Sequence, residues 1–233
     1  MKGVTLDRPW LEFDLGQEMR VLSWAINRPG AVQARRILWR EVRNADLPLD
    51  LDVTRWFASE LEARAATDAV AFLTSRDVRR YRTASATVGA ARADVVATVG
   101  LSNAERVGCR EDRTGTDWGT INVALRLDQG LTDAARLEAM SIAVEARTAA
   151  VMEADLPLAA GRATGTGTDC VAVAAPEGEL AYAGLHTEIG EAVGRAVHEA
   201  VLGGARDWMA RMRPVPRVGE AAGKQTGSGS RWT

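Results

Sequence analysis

Cysteine, histidine and long apolar runs are what this 233-residue chain has least of, and each shortage excludes a class of function. Its two cysteines, Cys109 and Cys170, form no CxxC pair and no zinc-ligand spacing. Both are expected to be reduced, Cys170 as a small apolar residue in a strand. Its two histidines, His186 and His198, also lack ligand spacing, so no fixed zinc site is expected. No stretch approaches the ~20 apolar residues that span a bilayer. The N-terminus MKGVTLDRPWLEFD carries charge where a signal peptide needs an apolar core, which predicts a cytoplasmic protein without a membrane partner. A formal net charge of −2 with no basic patch argues against nucleic acid as a partner. There is no internal repeat, which excludes a solenoid.

What is present is an ordinary globular composition, 46% apolar, long enough to bury a large core without a staple. WLEFDL (10–15) alternates apolar and polar residues, Gly16-Gln17 supplies a turn and MRVLSWAI (19–26) follows, predicting two short strands. Val53, Trp56, Phe57 and Leu61 predict a helix over 53–66, capped by Asp52. A buried strand over 69–75 and a helical turn or two over 75–81 come next. Strands over 83–89, 93–100 and 119–128 follow, rich in β-branched residues. A helix over 133–153 has Thr132 as N-cap and a stripe of Leu137, Met140, Val144 and Val151. CVAVAA (170–175) reads as a strand. A last helix from about Glu188 carries Ile189, Val193, Val197 and Val201 on one face. Gly190 and Gly194 on a second stripe imply close backbone packing, with His198 on the same face as a packing residue, and Gly203-Gly204 mark an end or a bend. The expected class is α/β or α+β: one domain over 1–213 with a mixed, largely antiparallel sheet and packed helices. The Pro-, Gly- and Ser-rich segment 214–233 is expected to be a disordered tail.

Three loops carry chemistry. In Ala163-Thr-Gly-Thr-Gly-Thr-Asp169, Gly165 and Gly167 let backbone approach a ligand, Thr166 and Thr168 offer hydroxyls, and Asp169 stands where loop meets strand. No GK[ST] follows and no helix comes next, so it is not a P-loop. A second loop, Gly100 to Gly108, presents Ser102 and Asn103 at a strand end, where an asparagine can both donate to and accept from an amide; an Asx-turn or helix cap would use the same pair. The third, Tyr182 to Glu188, sets His186 at a helix entrance, which favours a neutral imidazole able to act as base or to polarise a carbonyl.

The segments VGLSNAERVG (99–108), GTINVAL (119–125), ATGTGTDCVAVAA (163–175) and YAGLHTEIGEAVGRAVHEA (182–200) together resemble the adenosylcobinamide amidohydrolase family, over roughly residues 15 to 208. The resemblance implies an enzyme that hydrolyses the amide between aminopropanol and the corrin ring of adenosylcobinamide. The products would be adenosylcobyric acid, for cobalamin salvage, and aminopropanol. The partner is then a corrinoid small molecule, whose cobalt belongs to the substrate, so no protein-bound metal or cofactor is implied, and self-association into a homo-oligomer is left open.

Such an amide needs a base for water, donors for the oxyanion and an acid for the leaving amine. Asp169 is the candidate base and His186 the candidate acid or carbonyl polariser, with Glu188 orienting it or exchanging roles. Gly165 to Thr168 and Asn103 are candidate oxyanion donors, and Trp118 is a candidate wall for the flat corrin. Thr168 activated by Asp169 is a competing nucleophile, ranked below water because an internal threonine lacks the amino group that N-terminal nucleophiles use. Other readings are a phosphate- or nucleotide-binding transferase using the GTGTD loop, a non-catalytic corrinoid-binding protein, and an amidase of unrelated specificity.

Overall fold

The computed structural model describes residues 3–48, 50–110 and 119–212. In chain order the elements are β1 (Val4–Asp7), β2 (Trp10–Ser23), β3 (Gly30–Glu41), α1 (Val53–Ala63), β4 (Val70–Thr74), β5 (Arg82–Val88), β6 (Ala91–Val99), β7 (Ala104–Glu105), β8 (Ile121–Leu127), α2 (Asp133–Ala154), β9 (Pro157–Leu158), β10 (Gly161–Arg162), β11 (Gly165–Thr166), β12 (Cys170–Ala175) and α3 (Glu188–Met212). One sheet runs β4-β3-β2-β12-β8-β6-β5, with β1 added beside β2. The pairs β3–β4 and β8–β12 are parallel and the others antiparallel, giving the expected mixed α/β architecture. Trp118 and the segment 214–233 lie outside the described residues.

The central strands are apolar on both faces, which is why they read as near-continuous hydrophobic runs. Val95, Ala97, Val99, Ile121, Val123, Val171 and Val173 pack beneath α2 and α3. Val96, Ala124, Ala172 and Ala174 face the other way and meet Leu11, Phe13, Val21, Ile37, Trp39 and Phe72. That second core exists because the sheet curls, carrying β2, β3 and β4 back over the face of β6 and β8. Asn122 Nδ2 donates to the Leu73 carbonyl across the fold at 2.8 Å, and the Arg126 guanidinium lies 5.2 Å from the Phe13 ring. On the outside, Phe57 and Leu61 of α1 pack on Trp10, Leu38 and Ala71.

The curl has a local cause, which also corrects a sequence expectation. Residues 10–23 form one bent strand, not two strands joined by a turn. Asp14 pairs with Arg36 but Met19 with Ala34, so the β2–β3 register slips around Gly16, whose φ is +85°. Such a bulge bends and twists the strand that carries it. The sequence pattern also marks no element over 30–41, where β3 lies.

Both long helices follow their caps. Thr132 Oγ1 accepts from Ala135 N, and Asp155 ends α2 in the left-handed region. Val151 of the expected α2 stripe is buried, but the rest of the buried face runs through Ala135, Ala139, Ile142, Ala143 and Ala150, while Leu137 is exposed. Small side chains bring α2 close to its neighbours. Ile189, Val193, Val197 and Val201 of α3 are buried as expected. This helix neither ends nor breaks at Gly203-Gly204 but continues to Met212. His198 is part-exposed and its Nε2 stands 3.0 Å from Glu153, an interhelix contact rather than pure packing.

Glycine in α3 is required only where backbone or core crowds it. A Cβ on Gly190 would lie 2.1 Å from the Gly184 carbonyl oxygen, whereas nothing lies within 4 Å of the same position on Gly203. Gly190→Ala is expected to lower unfolding stability by about 1–3 kcal/mol through overpacking. Gly203→Ala is expected to leave it unchanged or raise it by up to ~1 kcal/mol. Urea unfolding midpoints of the two variants check the contrast.

Candidate active site

One end of the sheet gathers two of the three loops that the sequence singles out. Gly100–Asn103 leave β6 there, Gly119-Thr120 enter β8, and Thr168-Asp169 enter β12. Because β8 and β12 are parallel neighbours, their N-terminal ends lie side by side. Trp24, Ala25 and Ile26, just after β2, and Thr74, ending β4, complete a cleft of about 300 Å³. Its walls are mainly apolar, including Trp24, Ile26, Leu47, Phe72 and Leu73. The polar groups are Thr74, Thr120, Asn122, Thr168 and Asp169, with Cys170 beside them.

Asp169 ties these parts together. Its Oδ1 accepts from Ile121 N at 3.1 Å and Thr166 Oγ1 at 2.5 Å; its Oδ2 accepts from Thr166 N at 3.0 Å and Arg147 Nη1 at 2.5 Å. The side chain is only 6% exposed. Burial pushes its carboxyl pKa up, while Arg147, Thr166 and Ile121 act in the opposite direction. Gly165 has to be glycine here, since a Cβ would fall 2.6 Å from Asp169 Oδ2. The main-chain carbonyl of Asp169 accepts from Trp24 Nε1 at 2.8 Å.

Thr168 is held as firmly. Its hydroxyl donates to the Gly119 carbonyl at 2.8 Å and accepts from Asn103 Nδ2 at 3.3 Å, and its carbonyl accepts from Thr120 Oγ1 at 2.8 Å. Asn103 is buried behind Thr168, and among the described residues its Oδ1 has no hydrogen-bond partner. Ser102 is half-buried in the same turn. Gly165, Thr166 and Asp169 also line a second cavity, of about 590 Å³, together with Arg106 and Arg147; Gly167 is exposed. Thr166 N is taken by Asp169 and a strand follows the loop, so nothing here favours a phosphate cradle. Among the described residues no group of three or more His, Cys, Asp or Glu side chains could hold a metal ion, and no helix is long and apolar enough to cross a membrane.

His186 and Glu188 do not join this group. The Glu188 carboxylate accepts from Ala90 N, at the turn joining β5 and β6, and His186 lies exposed in the adjoining loop. That turn is at the opposite end of β6 from Val99, on the order of 25 Å away at strand rise. Sequence reasoning missed Arg147, Trp24 and Asn122. Asn122 did leave a signal, as the one amide inside the buried run INVAL. Arg147 and Trp24 left none, because their partner Asp169 is remote in sequence.

Cys170 is buried, with its Sγ 3.8 Å from Ser23 Oγ, and burial pushes its thiol up to about 12. At pH 8 only about 10⁻⁴ of it is thiolate, the form that reacts. Cys109 is exposed and free. Iodoacetamide at pH 8 is therefore expected to alkylate Cys109 alone in the native protein and both cysteines after denaturation, as read by peptide mass spectrometry.

The CbiZ family model, described as adenosylcobinamide amidohydrolase, matches residues 2–213, which takes in every element from β1 to α3 and all three loops. An uncharacterized protein of Methanocaldococcus jannaschii is 36% identical over 88 residues, covering 36% of this chain and 34% of that relative, so the match spans about a third of the relative's length. With nine-tenths of its length inside the family match, the chain belongs to the adenosylcobinamide amidohydrolase family.

Proposed function

We propose that the protein hydrolyses the amide joining aminopropanol to the propionate arm of the corrin ring in adenosylcobinamide, giving adenosylcobyric acid and aminopropanol for corrinoid salvage. The observation that carries this reading is the meeting of two of the segments that resemble the family, 119–125 and 163–175, around one mainly apolar cleft, with Asn103 of a third segment held against Thr168. At about 300 Å³ the cleft lies at the small end of the roughly 300–1,000 Å³ range of ligand pockets. It suits the end of an amide arm, with the macrocycle outside.

The reaction adds water to the amide carbonyl, and collapse of the tetrahedral intermediate breaks the C–N bond as the amine takes a proton. Asp169 is the one carboxylate among the described residues that line the cleft. Burial favours a pKa nearer neutrality, where a general base works best. The four acceptor positions of the carboxylate are all taken, so the Thr166 hydroxyl has to turn away from Oδ1 before that oxygen takes the proton of water, and it can then accept from the protonated carboxyl. Water is preferred to Thr168 as nucleophile, because the Thr168 hydroxyl is committed to Gly119 and does not contact the Asp169 carboxylate. Asn103 acts behind Thr168, as its support.

Incubation with adenosylcobinamide is expected to release adenosylcobyric acid and aminopropanol, read by chromatography and mass. Persistence of intact adenosylcobinamide beside folded enzyme refutes the reaction. A base must be unprotonated, so activity falls as pH drops through the Asp169 pKa. The acid limb of kcat/KM is expected above the ~3.9 of an ordinary aspartate. Asp169→Asn is expected to lose about 10²–10⁴ in kcat. His186→Gln, distant from the cleft, is expected to keep most of its turnover. A folded Asp169→Asn variant with full turnover removes Asp169 from the chemistry.

A further inference from the structure

Two large apolar side chains stand half-exposed on the lip of the cleft, Trp24 at 47% and Ile26 at 45%. Exposed apolar residues are common singly; these two stand two residues apart, line the same opening and sit on a loop that is tied down. Trp24 Nε1 donates to the Asp169 carbonyl at 2.8 Å, and Ala25 N donates to Ser23 Oγ at 3.0 Å. Asn27 closes the loop onto β4 from both sides, donating to the Ala69 carbonyl at 2.9 Å and accepting from Ala71 N at 3.0 Å. The loop is thus ordered by polar ties while its two largest side chains keep water contact, the arrangement of a surface shaped for a ligand rather than for the core.

We propose that Trp24, with Ile26 beside it, is the platform on which the flat ring body of the substrate rests while its amide arm enters the cleft. This rests on the cleft being the hydrolytic site. A cavity of about 300 Å³ cannot enclose a macrocycle, so the ring has to meet the lip, and the lip is apolar where it would do so. A rigid indole covers a broad apolar face at little cost in side-chain entropy. Its tether to the Asp169 main chain fixes the height of the platform relative to the carboxylate assigned to the chemistry. Trp24 thereby selects for a substrate with a ring body over small amides that carry the same bond.

Equilibrium dialysis with the ring-bearing product adenosylcobyric acid, which the enzyme does not consume, alongside steady-state kinetics with adenosylcobinamide, tests this on the full chain. Trp24→Ala is expected to weaken binding by about tenfold or more, with the loss in KM much larger than that in kcat. Trp24→Phe keeps a ring but no N–H, and is expected to bind within about threefold of the unchanged protein. Urea midpoints confirm that both variants are folded. Equal binding by Trp24→Ala and the unchanged protein overturns the platform, and so does a Phe variant as impaired as the Ala variant, which would make the tether the whole effect. If the unchanged protein binds adenosylcobyric acid but releases no aminopropanol from adenosylcobinamide, the hydrolytic reading fails, and dialysis alone decides the platform.

Discussion

A buried carboxylate with every acceptor position filled is the constraint on which this site depends. Asp169 is met by a backbone N–H from β8, a guanidinium from α2, and a hydroxyl and a backbone N–H from its own loop. A carboxylate offers about four such positions, and all are in use. Arg147 and Asp169 are 13% and 6% exposed, so removing either partner leaves the other charged and buried, at a cost of about 3–5 kcal/mol. The ion pair is weak evidence for stability but strong evidence for fixed geometry. With α2 and β8 as its anchors, the Thr166–Asp169 turn has one position, and everything attached to that turn inherits it.

What is attached is the cleft. Trp24 hangs from the Asp169 carbonyl, and Thr168 is locked between Gly119 and Asn103. The parallel β8–β12 pair within an otherwise mostly antiparallel sheet sets both entering turns next to each other. In an antiparallel pair the turn before β12 would face the end of β8, and Thr120 could not reach the Thr168 carbonyl. Topology and side-chain chemistry therefore answer to one requirement, that two strand beginnings share a wall.

Much of this was legible in the residues, and the exceptions have physical reasons. The strand CVAVAA, the Thr132 cap and the buried stripe of α3 were readable because each is local. The bend in β2 looked like a turn because Gly16 does take a turn-like φ, yet pairing with β3 resumes on both sides of it. The candidate site was half legible. Asp169, Thr168 and Asn103 converge, but His186 was placed with them on the strength of its helix entrance alone. A six-residue strand carries the chain about 20 Å from Asp169, and β12 does so here. The loop before α3 could have brought His186 back. It does not, because Gly184 packs on Gly190 and Glu188 binds the β5–β6 turn, pinning the helix entrance at the far end.

The curl of the sheet explains why there is a cleft at all. β4 and β8 are not neighbours in the hydrogen-bonding order, yet they face each other across the second core, bridged by Asn122. Deeper in the fold the gap between the two walls is filled by Phe13, Trp39 and Phe72. At the rim the chain entering β8 carries only Gly119 and Thr120, and the walls no longer touch. An asparagine at that level can span the gap without filling it, giving the Leu73 carbonyl a donor. A leucine of similar volume could not do so and would strand a buried carbonyl. A buried amide in the run INVAL is therefore the residue type that holds two walls apart and keeps the space between them polar enough for an amide to enter.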